Sequence, residues 1–243
     1  GTAVQRFEGR DDGMVSKTWT GNFLNGGLEG KGKRVITFQG RDNGLVLQAR
    51  TGTFVNGRLH GVDKTFQKYK GHLKGVISAT FTGFVNGRLQ GQGKIVKEYE
   101  GNPDGMVSAA FTGTFVNGRF QGQGKIFKKY EKNPNGMVSE ILTGNFVNGV
   151  LDGEGETVKE YKGKSDGLLL EIYKENFVNG ILYGNRMERL VYYGHPDGLA
   201  SVHSFGCFVN GALEGEVKIV KYFKGREDKV YSESIIGNWL DGV

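Results

Sequence analysis

An Asn-Gly dipeptide behind two large apolar residues returns about every 31 residues, with its glycine at positions 26, 57, 87, 118, 149, 180, 211 and 242. Six units write it Phe-Val-Asn-Gly, the first Phe23-Leu24-Asn25-Gly26 and the last Trp239-Leu240-Asp241-Gly242. One spacing is 30, because the third unit lacks the residue its siblings carry between Gly83 and Phe84. A unit this short cannot bury a core alone and must stack on its neighbours. The 243 residues are therefore read as one repeat domain, 1–243, with hairpin units centred on 25–26, 56–57, 86–87, 117–118, 148–149, 179–180, 210–211 and 241–242. Function is expected in a surface made by repetition sooner than in an isolated triad.

The fourth unit shows the local logic. Met106 to Val116 is rich in β-formers and has no helical period. Asn117-Gly118 follows, and both central residues of a type I′ hairpin turn need positive φ, which Asn and Gly tolerate best. Arg119 to Tyr130 runs back as the partner strand, and Asn133-Pro134-Asn135-Gly136 turns the chain into the next unit. The chain thus reads as an all-β antiparallel meander of about 16 strands. Centring the turn on Asn117-Gly118 sets Phe115 against Phe120, Gly113 against Gly122 and Phe111 against Gly124. Facing glycines weaken a sheet unless aromatic rings from nearby strands cover them. The missing residue in the third unit predicts a bulge there.

The pattern Phe111-x-Gly113-x-Phe115-x-x-Gly118-x-x-x-Gly122-x-Gly124 resembles the MORN repeat (membrane occupation and recognition nexus), and the likeness runs through essentially the whole chain. These units are longer than that family's, with Ile126 to Asn135 extending the strands. The resemblance implies a β-hairpin repeat protein with phospholipid or membrane-cytoskeleton contacts.

Residues 1–13 align with 32–44, so the chain starts on a return strand, and it ends on an outgoing one. The end segments keep apolar Val4, Phe7, Ile235 and Trp239, whereas open repeat arrays usually end in polar caps. Closure end to end into a barrel or flattened ring is expected, with an open β-solenoid as the alternative. A closed ring would be a monomer; unclosed ends would pair between molecules. Return strands such as Gly93-Lys94-Ile95-Val96-Lys97 put lysine on both faces, unlike a membrane barrel strand. No transmembrane segment is present, and a soluble protein is expected.

Net charge is +6 and the pI near 9.2, which favours anionic partners. One cysteine excludes an intrachain disulfide framework. It leans the chain towards a reducing compartment, cytoplasmic or peripheral to a membrane. The start at Gly1 rather than Met leaves a removed secretory signal open.

Two lysine columns recur on the return strands: Lys33, Lys64, Lys94, Lys125 and Lys218, and then Lys97, Lys128, Lys159 and Lys221. Stacked on adjacent hairpins they form basic stripes suited to anionic lipid head groups or an acidic polymer or protein surface. The plainer reading is that lysine keeps exposed strands from pairing with other chains. Glu98, Glu131 and Glu160 dilute the charge. The loops repeat Asp-Gly or Asn-Gly, which is turn chemistry; one or two carboxylates per loop do not make a calcium ladder.

Units six and seven break the pattern. Glu175 replaces a strand glycine, and Asn185-Arg186-Met187-Glu188-Arg189 abandons the return consensus. In the register above, Tyr173 faces Arg186 and Glu171 faces Glu188, and opposed carboxylates are one way to build an acid/base pair. Unit seven adds His203 and Cys207. Any catalytic residues would be Glu171, Glu175, Glu188 and His203. A small molecule in the lumen would meet Tyr173, Arg186, Arg189, Cys207 and Arg50. Drift in two units explains the same residues without a site. His203 and Cys207 lie four apart, about 13 Å along a strand, so no metal site is expected. No cofactor, nucleic-acid motif or catalytic signature stands out. The expectation is a repeat scaffold or binding protein showing a basic and aromatic β-surface to an anionic membrane, polymer or protein. The alternative is a small-molecule-binding β-barrel or enzyme with its site in units six and seven.

Overall fold

In the computed structural model, which describes residues 1–85, 88–209 and 212–239, every regular element is a β-strand. The chain divides into two compact units, Gly1–Phe120 and Gln121–Val243. The first holds β1 (Thr2–Arg6), β2 (Met14–Leu24), β3 (Gly27–Phe38), β4 (Leu45–Val55), β5 (Arg58–Tyr69), β6 (Val76–Val85), β7 (Arg88–Tyr99) and β8 (Met106–Val116). The second holds β9 (Arg119–Tyr130, save its first two residues), β10 (Met137–Val147), β11 (Val150–Tyr161), β12 (Leu168–Val178), β13 (Ile181–Leu182), β14 (Gly184–Tyr192), β15 (Leu199–Val209), β16 (Ala212–Phe223) and β17 (Ser232–Trp239). The return strand of unit six is split into β13 and β14, both paired with β12, which accounts for one strand beyond the sixteen expected.

The turns form as the dipeptide predicts. Asn25, Asn56, Asn117, Asn148 and Asn179 have φ of 48–52°, and the glycines after them also have positive φ. Both central residues are left-handed, the geometry whose twist matches the flanking strands. The turns at Asn86-Gly87, Asn210-Gly211 and Asp241-Gly242 lie outside the described residues. At the opposite ends, loop side chains take up free backbone donors. Leu45 N–H donates to Asn43 Oδ1 at 3.1 Å and Leu168 N–H to Asp166 Oδ1 at 3.0 Å.

Within each unit the strands pair antiparallel with their sequence neighbours, and among the described residues no strand returns to the unit's first. The closed barrel expected from the chain ends is thus corrected to an open meander in each unit.

The register beyond the turn also needs correction. Centring on Asn148-Gly149 would put Gly144 against Gly153, yet Phe146 faces Leu151 and Gly144 faces Gly155. Between those pairs the return strand carries two extra residues. Gly153 in that bulge has φ 92°, and Gly30, Gly91, Gly122, Gly184 and Gly215 are its positive-φ counterparts. The first glycine of Gly-x-Gly therefore makes a bulge, and only the second joins the ladder. Among the described pairings the bulge recurs in hairpin after hairpin instead of marking the third alone. There Thr82 faces Lys94 and Phe84 faces Leu89, so the return strand has three extra residues. The missing residue is absorbed at the existing bulge.

The two faces of the sheet differ in each unit. One carries Leu28, Phe54, Leu59, Ala79, Phe115, Phe146, Leu151 and Val217, all buried; the other carries the first lysine column. A row of glycines crosses the buried face, Gly21–Gly32–Gly52 and Gly93–Gly113 in the first unit, Gly124–Gly144–Gly155 in the second. Rings do cover them: a Cβ on Gly93 would stand 3.2 Å from the Phe115 ring, and one on Gly155 the same from Phe177. Gly93→Ala would also bring its methyl 2.6 Å from the Thr82 carbonyl oxygen. We expect it to cost about 1–3 kcal/mol by overpacking, read as a lower urea midpoint at unchanged m; an unchanged midpoint would refute the close fit.

Candidate functional site

On the outward face of the first unit, pairings link Thr20–Lys33–Thr51–Lys64–Thr82–Lys94–Thr112 into one row across seven strands. Lysine sits on every return strand and threonine on every outgoing one. The three lysines are exposed, about 10 Å apart at the usual strand spacing. No acid interrupts the row. The corresponding row of the second unit runs Lys125–Thr143–Glu156–Lys174–Met187–Phe205–Lys218. Glu156 breaks the charge there and lies 3.8 Å from Lys174.

The second lysine column points the other way. Lys97, Lys128, Lys159 and Lys221 are half-buried on the buried face. Lys128 Nζ is 2.6 Å from Glu140, Lys159 Nζ is 3.5 Å from Glu171, and Lys97 lies over the Phe111 ring at 5.9 Å. The two columns occupy opposite faces; Phe111 shares the face of the second, whereas Phe66, Phe127 and Phe205 stand on that of the first.

The divergent residues of unit six gather on the buried face of the second unit. Glu175 and Arg186 take glycine-row positions and form an ion pair, Nε to Oε1 at 3.2 Å. The Arg186 guanidinium stacks over the Tyr173 ring at 4.1 Å and reaches Glu188 at 3.5 Å. Tyr173 donates its hydroxyl to Glu171 at 2.8 Å. Burial pushes the Glu175 carboxyl up, against the pull of Arg186 and Lys159. Burial and the Glu171 carboxylate push the Tyr173 phenol up. The predicted facing of Glu171 with Glu188, and of Tyr173 with Arg186, is off by the bulge: Tyr173 faces Glu188 and Glu171 faces Leu190. Arg189, His203 and Cys207 lie on the opposite face. Arg189 faces His203, whose ring packs 5.1 Å from Tyr222. Burial, then Arg189, pushes the His203 pKa down. The four proposed catalytic groups are thus divided between two faces.

A groove of about 770 Å³ opens in the second unit, lined by Lys174, Arg186, Met187, Phe205, Cys207 and Lys218 among others. In the first unit, Arg50 is on the buried face directly opposite Arg34. Arg34 was not among the expected site residues. Its signal was available, since its counterparts on other return strands are Thr65, Ile95, Ile126 and Thr157.

Antiparallel hairpins of nearly one length, bulged at one glycine and stacked through a glycine row, define a β-hairpin repeat protein. The family model for the MORN repeat matches at residues 51–62, 83–97, 111–128 and 143–158, covering hairpin segments of both units. Those four stretches support a MORN-repeat protein. No curated protein sequence matches it. MORN repeats suggest a repeat scaffold or binding protein.

Proposed function

We propose that the outward face of the first unit docks on an anionic membrane surface. The observation that carries this is the acid-free ladder of Lys33, Lys64 and Lys94 alternating with threonine hydroxyls. The hairpin tips extend it with exposed Arg58, Arg88 and Arg119 beside exposed Leu24, Val55 and Val116. Cations flanked by apolar tips suit head groups backed by acyl chains. A lysine near an anionic bilayer contributes about 1 kcal/mol. Changing all three lysines to glutamine should therefore weaken binding roughly 100-fold, measured by co-sedimentation with phosphatidylcholine vesicles with and without phosphatidylserine. Equal binding to both vesicles, or binding of an acidic polymer without binding of vesicles, would overturn the reading.

The groove beside Phe205 and Lys174 favours a second reading, a small-molecule site in the second unit. A crystallographic fragment screen tests it: an ordered molecule between those side chains supports the site, and an empty groove argues against it.

A further inference from the structure

We propose that Arg34 and Arg50 form a binding site for the phosphate group of a small phosphomonoester on the buried face of the first unit. This goes beyond membrane docking, which uses the opposite face. The two arginines face each other across β3 and β4, and like charges directly opposed destabilise a sheet. Both are half-buried, and the Nε of each is buried without a hydrogen-bond partner. Among the described residues neither enters an ion pair or stacks on a ring. Burial pushes both guanidinium pKa values down, and Arg50 adds to the push on Arg34. A fold that keeps two such cations side by side with no counter-ion is missing an anion.

The donors around them fit that anion. Thr65 faces Arg50 from β5, is 2% exposed, and its Oγ1 has no partner. Two forked guanidinium groups and one hydroxyl thus lie in a row over three adjacent strands, about 10 Å end to end. Phosphate offers several acceptor oxygens and is the group that paired arginines grip bidentately. Trp19 bounds the row beyond Arg34 and Phe81 beyond Thr65, which gives apolar walls for the organic part of a monoester. The acid on that face of β5, Asp63, accepts the Thr53 N–H at 2.9 Å and forms no ion pair with either arginine. Sibling strands put Phe81, Phe111, Leu142 and Tyr173 where Arg50 stands, so the scaffold accepts an apolar residue there.

The test titrates the full chain with inorganic phosphate and with phenyl phosphate, following the arginine Nε–H signals by proton–nitrogen NMR and the melting temperature. The expected result is saturable movement of the Arg34 and Arg50 signals, and a melting temperature raised above that in sodium chloride of equal ionic strength. Arg50→Met should lose the phosphate response yet be at least as stable as the parent in phosphate-free buffer, because it removes the repulsion. Arg34→Lys keeps the charge but not the fork and should bind more weakly. A response to phenyl phosphate assigns a soluble source; one seen only with phosphoinositide vesicles assigns a lipid head group. Signals that stay still with every probe, or an Arg50→Met protein that keeps the response, would overturn the site. Vesicle binding through the lysine ladder is unaffected by either variant, so the two proposals fail separately.

Discussion

Truncation of Phe115 to alanine should remove about 3–5 kcal/mol of stability, the range for an aromatic lost from a closed core. The ring is 2% exposed. It lies flush on Gly93 and meets Phe120 at 5.2 Å between centroids. Its floor is backbone, because Gly93 has no side chain and is held opposite Gly113 by the ladder. Backbone fixed in this way cannot collapse into the void, which places the loss towards the upper end. The neighbouring Val116, 41% exposed on the outward face, supplies the control. Val116→Ala should change stability by no more than about 0.5 kcal/mol. Urea unfolding of both variants decides the matter, with m checked for constancy. Comparable losses would mean that Phe115 is not the ring that seals the glycine row.

The hairpins were legible because Asn-Gly fixes a turn by backbone sterics alone, and five of those turns show the required φ at both residues. The register past each turn was not. Gly-x-Gly reads as two equivalent strand positions, and nothing in composition says that only the first takes positive φ and bulges. The slip is two residues, and an even slip keeps every side chain on its own face. For this reason Tyr173, Glu175, Arg186 and Glu188 still gather as expected, although their facing partners differ. Contacts between successive hairpins were invisible to a reading made one hairpin at a time. That gap hid Arg34 beside Arg50, and it hid Glu140 and Glu171, which occupy Lys128 and Lys159. It also let the two lysine columns be read as one kind of surface when they look in opposite directions.

Arg186→Met should cost about 3–5 kcal/mol near neutral pH, the effect of breaking a buried ion pair from one side. Glu175 is 11% exposed and Arg186 21%, so the carboxylate left behind is poorly hydrated. Burial already holds the Glu175 carboxyl above its ordinary value, with Arg186 the largest force against that and Lys159 the next; Glu188 adds to the rise. Without Arg186 the folded-state pKa climbs further. An acid whose folded pKa exceeds its unfolded one binds more protons when folded between those two values. Stability therefore falls as pH rises through that window, and the loss is complete above the folded pKa. The variant's deficit should be largest at about pH 8 and shrink at about pH 5, leaving the part that comes from the lost stacking on Tyr173. Adding Glu175→Gln to Arg186→Met should recover part of the loss at pH 8 and little at pH 5, a coupling that a double-mutant cycle isolates. A deficit equal at both pH values, or a double variant no better than the single, would show that Arg186 acts through packing rather than by holding a buried charge.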